Sequence, residues 1–423
     1  MIMRIQNIII ALLSVFFLPL SGKAHTPAPP QKKPIALVGG TVHTLSGEAI
    51  TGGTVLMVDG KIDAVGLNLD LPAETEVIDT RGKHVYPTLI LGRTTLGLTE
   101  IGAVPVTSDL NEVGNINPNI RAEAAFHPES SHIPVAAVNG IGVAVTGPTG
   151  GIISGLTAAM LTDGWTWEQM TLKAPLGLSI NWPNMADASA RDQALKELND
   201  AFDSARRYML ARKAAGSTQA IDIRWEAMIP VLEGKLPVMI NAAELRQIQA
   251  AMAWAEKQNV KMILVGGRDA AYVADQLKAK NIPVMITPVI GAPSRQWEAY
   301  DHSYSLPLKL HEAGVKFSIA GEGSAAGASR LAKHAASAVA FGLPAEEALR
   351  AITIYAAEIL GIDDRMGTIE AGKDASIMIT NGNPLELSTQ IEQVYIQGRM
   401  IDMTDKHREL YEKFLEKHRQ AGE

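Results

Sequence analysis

The sequence has no cysteine among its 423 residues and is poor in aromatic residues, which make up 5% of the chain. Without cysteine the chain can form no disulfide bond, bind no metal through a thiolate and carry no lipid on an N-terminal cysteine. Stability must therefore come from a large core. The 47% hydrophobic content predicts a core packed mainly from aliphatic side chains, in one large domain and one smaller one.

Long apolar runs are also absent, with one exception near the N-terminus. Ile8–Leu20 is apolar apart from Ser14; it follows the basic Arg4 and precedes the small residues around Ala24. This run of about 13 residues is shorter than the roughly 20 that a membrane-spanning helix needs, which favours a cleaved signal peptide over a membrane anchor. We expect residues 1–24 to be removed, a mature chain that begins at His25, and a periplasmic or secreted protein.

A basic surface is missing too. The 38 lysine and arginine residues are outnumbered by 45 aspartate and glutamate residues, for a net charge of −7 at pH 7. The charges are scattered along the chain, which is typical of a solvated surface. We therefore expect no nucleic-acid partner, and no membrane association after signal cleavage.

Two separated stretches have the short apolar runs and turn residues of β-strands. After a linker at residues 25–34, residues 35–84 predict strands at Ile35–Val38, Thr54–Val58, Ile62–Val65 and Glu76–Ile78. Asp59-Gly60 predicts a two-residue hairpin turn between the second and third of these strands. Residues 367–403 predict strands at Ser376–Thr380 and Gln393–Ile396. We expect the two stretches to combine into one small β-sandwich domain, followed at residues 404–423 by a helix with an apolar docking stripe.

Residues 85–366 alternate apolar strands with helices, which predicts an α/β domain with a parallel sheet. Strands are predicted at Val85–Leu91, Gly142–Val145, Leu176–Ile180, Pro237–Ile240, Lys261–Val265, Pro283–Ile286 and Lys316–Ile319. A TIM-type (β/α)8 barrel needs one strand more, and we place it between Ile180 and Pro230. A helix is predicted from Pro344 to the terminator Gly361.

Two stretches of the chain resemble the amidohydrolase superfamily. One is GGTVHTLSGEAITGGTVLMVDGKIDAVG leading to VIDTRGKHVYPTLILGRTTLGL, and the other is GLPAEEALRAITIYAAEILGIDDRMGTIEAGKDASIMITNGNPLE. The likeness is to the imidazolonepropionase-like branch. It implies a barrel with a split β-sandwich and a hydrolase acting on non-peptide or dipeptide-like C–N bonds. It also implies one or two divalent metal ions, held by imidazoles and carboxylates, that lower the pKa of a bound water to about 7.

The residues at the expected metal positions differ from that pattern. In the family a His-x-His pair follows the first barrel strand, and here its positions hold Arg93 and Thr95. A guanidinium is permanently charged and has no lone pair to offer a metal ion. Later strands expected to end in histidine end in Asn241 and in Gly266-Gly267, and the nearest match to the last metal-binding aspartate is Glu322. We therefore expect no metal and no other cofactor.

Polar residues after the strands are further candidates, because barrel function concentrates in those loops. The histidines lack the spacing of metal ligands, and most are expected at the surface or in the core. His302 is the exception, because it follows the last strand but one. Residues 107–123 form either a loop of Asx turns or a lid over the barrel. The glycine-rich residues 147–151 lack the Lys-Ser/Thr of a phosphate loop and predict a turn.

Two functions remain open. In the first, the protein hydrolyses a C–N bond without the usual metal, and Glu322, Glu112 and Glu244 are the candidate catalytic carboxylates. In the second, it is a catalytically inactive relative that binds a small molecule, or that partners an active amidohydrolase or a second copy of itself. Arg93 would then hold a carboxylate group. The candidate substrate-binding residues are Arg93, Thr95, Asn241, Arg268 and His302.

Overall fold

The computed structural model describes residues 25–215 and 220–422, so the predicted signal peptide lies outside the described residues. The strands are β1 (Ile35–Val42), β2 (Ile50–Val58), β3 (Lys61–Gly66), β4 (Glu76–Asp79), β5 (His84–Pro87), β6 (Leu89–Thr94), β7 (Ile141–Thr146), β8 (Ile153–Leu161), β9 (Thr171–Asn181), β10 (Val238–Ala242), β11 (Met262–Gly266), β12 (Val284–Ile286), β13 (Phe317–Ile319), β14 (Ile377–Thr380), β15 (Ile391–Ile396) and β16 (Arg399–Met400).

The α-helices are α1 (His132–Val138), α2 (Trp167–Met170), α3 (Ala188–Ala215), α4 (Ile223–Leu232), α5 (Leu245–Gln258), α6 (Ala274–Ala279), α7 (Leu306–Ala313), α8 (Leu331–Ala340), α9 (Ala345–Ala351), α10 (Ile354–Leu360) and α11 (Lys406–Ala421). Short 3-10 helices occur at Pro105–Thr107, Ala122–Ala125, Ala270–Val273 and Ala328–Arg330. Within residues 25–215 and 220–422, no helix combines the length and the apolar character that crossing a membrane requires.

One sheet joins the beginning of the described chain to its end. Its strand order is β3-β2-β1-β5-β14-β15-β16, and β4 pairs with β1. β5 and β14 pair antiparallel, from Pro87 with Ile377 to His84 with Thr380. The sheet has a core of its own, which includes Leu37, Val55, Met57, Ile62, Val85, Ile377 and Tyr395. Strands that flank the barrel in sequence thus form a separate β-rich unit.

The turn between β2 and β3 is the predicted hairpin. Asp59 and Gly60 have φ angles of 48° and 79°, the left-handed values that a type I′ turn needs at both central positions. Glycine is required at the second position, because a Cβ there would lie 3.0 Å from the carbonyl oxygen of Gln397. The turn therefore also allows the hairpin to approach the last strands of the sheet.

The other sheet is a barrel of eight strands in the order β6-β7-β8-β9-β10-β11-β12-β13. β8 runs antiparallel to both of its neighbours, and the remaining pairs are parallel. The barrel closes where the N–H of Arg93 donates to the carbonyl of Ala320 at 3.2 Å and that of Thr95 donates to Gly323 at 2.9 Å. Helix α4 packs on β9, α5 on β10 and β11, and α7 to α10 on β13. The α/β barrel with a split β-rich domain is therefore confirmed.

The prediction of an eighth strand between Ile180 and Pro230 is wrong. The described part of that segment is mostly helical and forms α3 and the start of α4. The missing strand is β8, which follows β7 through the predicted turn at residues 147–151, and every residue of β8 is buried. Its sequence, ISGLTAAML, contains glycine and alanine, which are weak strand formers. That composition hid the strand from the sequence pattern.

Two predicted elements are each split in the structure. The strand expected at Val85–Leu91 ends at Pro87 in the first sheet and begins again at Leu89 in the barrel. Thr88 between them is fully buried, and its N–H donates to the carbonyl of Ser376 at 3.0 Å. The helix expected from residue 344 to residue 361 is interrupted at residues 352 and 353, and forms α9 and α10. The first break occurs where the chain passes from one sheet to the other.

Buried ion pairs connect the β-rich unit to the barrel. Asp163, in the β8 to β9 connection, lies 2.7 Å from Arg399 of β16. Asp374 lies 2.6 Å from Arg365 and 2.5 Å from Lys61. Both carboxylates have only 1% of their side-chain area exposed. Removing either partner would leave a buried charge unpaired, so these pairs fix the two units against each other.

The C-terminal helix α11 lies on the surface. The side chain of Asp405 caps its first turn by accepting backbone hydrogen bonds. Leu410, Tyr411 and Phe414, on the stripe predicted to dock, are 41%, 64% and 52% exposed. The described residues of this chain therefore do not cover the stripe.

Candidate functional site

The carboxyl end of β6 contains a β-bulge. The pairing of β6 with β7 is shifted between Leu91 and Thr94, so that Gly92 and Arg93 together oppose the single residue Val145. Two residues that oppose one define a bulge, a feature that re-aims side chains at barrel rims. The two bulge residues therefore share one side of the sheet.

That side is the barrel lumen. A Cβ at Gly92 would lie 2.8 Å from the terminal methyl of Met285, which belongs to β12, a strand that is not a neighbour of β6. The contact therefore crosses the inside of the barrel. Paired residues of adjacent strands project from the same face, so Val265 and Ser318, the partners of Met285, face the lumen as well. Arg93 thus enters a lumen that is largely apolar.

The guanidinium of Arg93 has no partner. Its Nη1 is shielded from solvent and makes no hydrogen bond, and the side chain forms no ion pair within residues 25–215 and 220–422. Burial lowers the pKa of Arg93, and no carboxylate counteracts that effect. Arginine nevertheless stays protonated at neutral pH. Arg93 as a whole is partly buried, and a shielded cationic nitrogen without a counter-ion costs free energy, which an anion in the lumen would offset.

Two hydroxyl groups in the lumen also lack partners. Ser318 faces the lumen beside Met285. Ser179 pairs with Met239, whose sulfur accepts a hydrogen bond from Thr157 of β8 at 3.3 Å, across the intervening strand β9. Both serine hydroxyls are buried without a hydrogen-bond partner. Together with Arg93, they give the lumen three polar groups that the described protein residues leave unused.

Two other residues predicted at strand ends hold the barrel rim together. Thr95 Oγ1 accepts a hydrogen bond from the N–H of Ala325 at 3.1 Å. Asn241 Nδ2 donates to Asn181 Oδ1 at 3.0 Å. Asn181 Nδ2 in turn donates to the carbonyl of Thr149 at 2.7 Å. This amide chain links β10, β9 and the glycine-rich connection between β7 and β8.

Glu322, which follows β13, faces a histidine that the sequence analysis did not single out. Its Oε1 accepts a hydrogen bond from the hydroxyl of Ser324 at 2.9 Å and pairs with Arg330. Its Oε2 lies 3.7 Å from Nε2 of His334. Nδ1 of His334 accepts the N–H of Ile290 at 3.2 Å, so the proton of a neutral ring is on Nε2. That Nε2 is buried and has no hydrogen-bond partner.

The pKa values of Glu322 and His334 are both lowered in the folded protein. Burial raises the pKa of Glu322, but the hydrogen bond from Ser324 and the charge of Arg330 outweigh it and hold the pKa below its ordinary value. Burial lowers the pKa of His334 by more than Glu322 raises it. At neutral pH a carboxylate therefore faces an uncharged imidazole.

A second group of charged residues, the arginine–carboxylate cluster, lies after β10, β11 and β12. It contains three residues predicted for the site, Glu244, Arg268 and His302, and three that were not, Asp269, Arg295 and Glu298. Arg268 lies 3.4 Å from Glu244 and 3.6 Å from Asp269. Arg295 lies 2.6 Å from Asp269 and 3.4 Å from Glu298. Each carboxylate of the cluster thus has an arginine beside it.

His302 completes this cluster. Its Nε2 lies 3.2 Å from the carbonyl of Arg268 and 3.6 Å from Asp269 Oδ1. Ligand atoms of Asp269, Glu298 and His302 lie within 4.8 Å of one another, which is a spacing that a metal ion could use. Two guanidinium groups already neutralise these carboxylates. The cluster therefore ties the loop after β12 to the ends of β10 and β11.

Glu112 joins neither group. It is exposed in the loop after β6 and makes no hydrogen bond or ion pair within the described residues. The same loop is attached to the barrel further along, because Ile116 and Arg121 bridge to Ile153 and Leu156 of β8. The loop therefore runs alongside the first four residues of β8.

A cavity of about 920 Å³ lies at the opposite end of the barrel. It opens at the amino ends of β10, β11 and β12, and none of the predicted site residues lines it. Its rim includes Lys173, Lys235, Lys261 and Lys280 together with Glu233, Glu256 and Glu358. In barrels of this type the functional groups collect at the carboxyl ends of the strands, so this cavity is not the site.

The residues missed by the sequence analysis carried weak local signals. Asp269 directly follows Arg268, and Arg295, Glu298 and His302 are spaced by three and four residues, a charged pattern that indicates a shared face. His334 lies in the middle of α8, twelve positions after Glu322, and no short motif links the two. Only the fold brings them together.

Comparison with known proteins identifies the family. The sequence model of the Amidohydrolase family matches residues 237–401. Amidohydrolase tasK of Hapsidospora irregularis is 21% identical over 388 residues, which are 82% of this chain and 39% of that protein. Imidazolonepropionase of Rhizobium meliloti (strain 1021) is 32% identical over 160 residues, which are 37% of each chain. The alignments thus cover less than two-fifths of the length of these curated relatives.

Comparison with solved structures finds the same fold in an amidohydrolase. An amidohydrolase from Thermotoga maritima MSB8 superimposes with a TM-score of 0.80 and 25% identity, over 87% of this chain and 99% of that one. With the barrel, the split β-rich domain and the sequence match in place, the chain belongs to the amidohydrolase superfamily.

Proposed function

We propose that this superfamily member binds a small carboxylate-bearing molecule in the barrel lumen, and that Arg93 replaces the metal-activated water of its relatives. The observation that carries the proposal is Nη1 of Arg93, which is shielded from solvent and has no partner among the described residues. A buried charge is normally paired. Since no carboxylate of the described chain pairs with Arg93, the counter-ion comes from a ligand.

The side chains at the strand ends support the loss of the metal site. Arg93 would repel a divalent cation and has no lone pair to bind it. The amide of Asn241 is held by Asn181. Glu322 offers one carboxylate, whose Oε1 is already engaged by Arg330. These residues do not fit a divalent ion, so we derive no step through one.

An arginine suits a carboxylate better than other cations would. Its planar fork can donate two parallel hydrogen bonds to the two carboxylate oxygens, and such charge-assisted pairs are roughly twice as strong as neutral hydrogen bonds. The low dielectric of an apolar lumen strengthens the pair further. The buried hydroxyl of Ser318, from the strand next to β6, offers an additional polar contact.

The test is ligand-dependent stability. Unfolding of the purified protein would be followed with a panel of small monocarboxylates and dicarboxylates, against chloride at equal ionic strength. A ligand at 100 times its Kd should stabilise the parent by about 2.7 kcal/mol and leave Arg93→Met unaffected. Arg121→Met is the matched control, because Arg121 has 56% of its side-chain area exposed and already pairs with Glu123. Equal carboxylate effects in the parent and in Arg93→Met would overturn the proposal.

Elemental analysis of protein purified without chelators is the independent test of the metal. We expect less than a stoichiometric amount of any divalent ion. One or two tightly held ions per chain, the content of a working metal-dependent relative, would refute the proposed replacement of the metal site by Arg93.

Hydrolysis of a C–N bond is the second candidate function, and the pair of Glu322 and His334 favours it. Of the three carboxylates predicted to be catalytic, Glu244 pairs with Arg268 and Glu112 is exposed without a partner, whereas Glu322 faces a neutral imidazole. A screen of non-peptide amides and dipeptides should then show an activity that Glu322→Gln lowers by about 100-fold or more. An activity that survives this substitution would rule out Glu322 as the catalytic carboxylate.

We also propose export through the predicted signal peptide. The expected result is a mature N-terminus at His25 and recovery of the protein outside the cytoplasm. N-terminal sequencing of the protein from its native host and cell fractionation measure both. An intact N-terminus on cytoplasmic protein would contradict export.

A further inference from the structure

We propose that Glu322 and His334 form a subsite for a hydroxyl group, so that the molecule bound at Arg93 is a hydroxy acid. This inference rests on the proposed binding of a carboxylate by Arg93. It adds the chemical class of the rest of the ligand and assigns a role to His334.

The distance between the two groups is the first argument. Glu322 Oε2 and His334 Nε2 are 3.7 Å apart, which is too far for a direct hydrogen bond. A single oxygen atom beside the pair, off the line that joins the two atoms, could make bonds of about 2.7–2.9 Å to both. One hydroxyl or one water could therefore bridge them.

The protonation states are the second argument. Because the N–H of Ile290 occupies Nδ1 of His334, Nε2–H is a donor that needs an acceptor. Oε2 of Glu322 accepts no hydrogen bond from the described residues, since Ser324 and Arg330 both bind Oε1. A carbonyl could satisfy only the histidine, and an ammonium only the glutamate. A hydroxyl satisfies both with one atom.

Burial is the third argument. The side chain of His334 is 2% exposed, whereas that of Glu322 is 25% exposed. An unpaired N–H so deep in the protein is costly, and the open side of Glu322 gives a small molecule access to it. A buried donor beside an accessible acceptor favours a ligand group that enters from solvent.

The subsite lies at the same end of the barrel as Arg93. The N–H of Arg93 donates to the carbonyl of Ala320, two residues before Glu322, and the N–H of Thr95 donates to that of Gly323, one residue after it. The long side chains of Arg93 and Glu322 thus start from hydrogen-bonded neighbouring segments. This adjacency of the two backbones is the reason why we assign both groups to one ligand.

The experiment compares acids that differ by one hydroxyl. Glycolate against acetate, lactate against propionate and 3-hydroxybutyrate against butyrate would be titrated calorimetrically into the parent, Glu322→Gln and His334→Gln. We expect at least one hydroxy acid to bind about tenfold more tightly than its deoxy partner, and this preference to disappear in both variants. His311→Gln is the matched control, because the imidazole of His311 is 37% exposed and lies away from the subsite.

A second readout remains informative if a variant fails to fold. The chain has 10 histidines, so selective ¹⁵N labelling gives few signals, and the signal lost in His334→Gln or shifted in Glu322→Gln identifies His334. Its Nε2 resonance should move with the hydroxy acid and stay in place with the deoxy acid in the parent protein. A water in the gap would give equal responses to the two acids and would overturn the inference.

The outcomes separate the two proposals. Loss of all binding in Arg93→Met together with a hydroxyl preference that depends on His334 supports both. Arg93-dependent binding without a hydroxyl preference keeps the carboxylate site and overturns the subsite. A His334-dependent preference that survives in Arg93→Met keeps the subsite and overturns the role of Arg93. No binding of any acid by the folded parent overturns both.

Discussion

The two charged regions at the barrel mouth contain similar residues but differ in how their charges are paired. In the arginine–carboxylate cluster, Arg295 lies 2.6 Å from Asp269 and 3.4 Å from Glu298. At the end of β6, no carboxylate in the described part of the chain lies beside the guanidinium of Arg93. Charges that neutralise one another inside the chain hold the loops in place. A shielded charge without a partner indicates a place where a ligand can bind.

The largest expected effect tests the paired region. Asp269→Asn removes the acceptor that faces both Arg268 and Arg295 and leaves their charges less compensated, so the free energy of unfolding should fall by about 3 kcal/mol. Denaturant unfolding measures the change. Asp70→Asn, at an exposed position, is the control and should change stability by less than about 0.5 kcal/mol. Equal effects of the two substitutions would remove the contrast between the regions.

The next effect has the opposite sign and tests the unpaired region. Arg93→Met replaces an uncompensated, partly buried cation by an apolar side chain of similar length, so the ligand-free protein should become more stable by about 1 kcal/mol. The same denaturant experiment measures it. A loss of stability would show that Arg93 has a structural partner and belongs with the paired residues.

Acid should affect the paired region through Asp269 and Glu298. Burial raises the pKa of Asp269, but the hydrogen bond and charge of Arg295 outweigh it; backbone N–H groups of the loop after β12 do the same for Glu298. Both folded pKa values lie below the ordinary 3.8 and 4.5. Their stabilisation is complete above those ordinary values and is lost as the pH falls through the lower folded values. The free energy of unfolding of Asp269→Asn should therefore decline less steeply than that of the parent below about pH 4. Parallel declines would argue against this role.

The smallest effect concerns Glu112, which belongs to neither region. Glu112→Gln should change the free energy of unfolding by less than about 0.5 kcal/mol and leave carboxylate binding unchanged, because the side chain is exposed and has no partner. Calorimetry and denaturant unfolding both measure it. A clear loss of binding would mean that the loop after β6 closes over the ligand.

The sequence pattern predicted most of the fold because buried parallel strands leave continuous apolar runs. The runs at residues 237–240 and 261–265 overlap β10 and β11, with bounds that differ by one or two residues. β8 was missed because its sequence contains glycine and alanine, and because an antiparallel strand can follow its neighbour without a crossover helix. The break at Thr88 escaped for another reason: the chain passes from one sheet to the other without leaving the extended conformation.

The site was predictable only in part. Arg93 and Glu322 could be placed at the mouth because the family pattern fixes their strand ends. Pairing depends on distances that the sequence does not contain, so Arg268 and His302 were predicted to bind a ligand, whereas the structure engages them with Asp269. His334 was missed because its partner, Glu322, lies on a different element.

Barrel closure has a consequence for the order in which the protein acquires its function. β7, β8 and β9 follow one another through short connections and can pair early, because their contacts are local. The closing contact between Thr95 and Ala325 joins residues 230 positions apart, and such long-range contacts are slow to form. Arg93 and Glu322 lie on the two sides of this seam. Binding competence should therefore appear last in refolding, and a ligand that bridges the seam should slow the unfolding of the barrel.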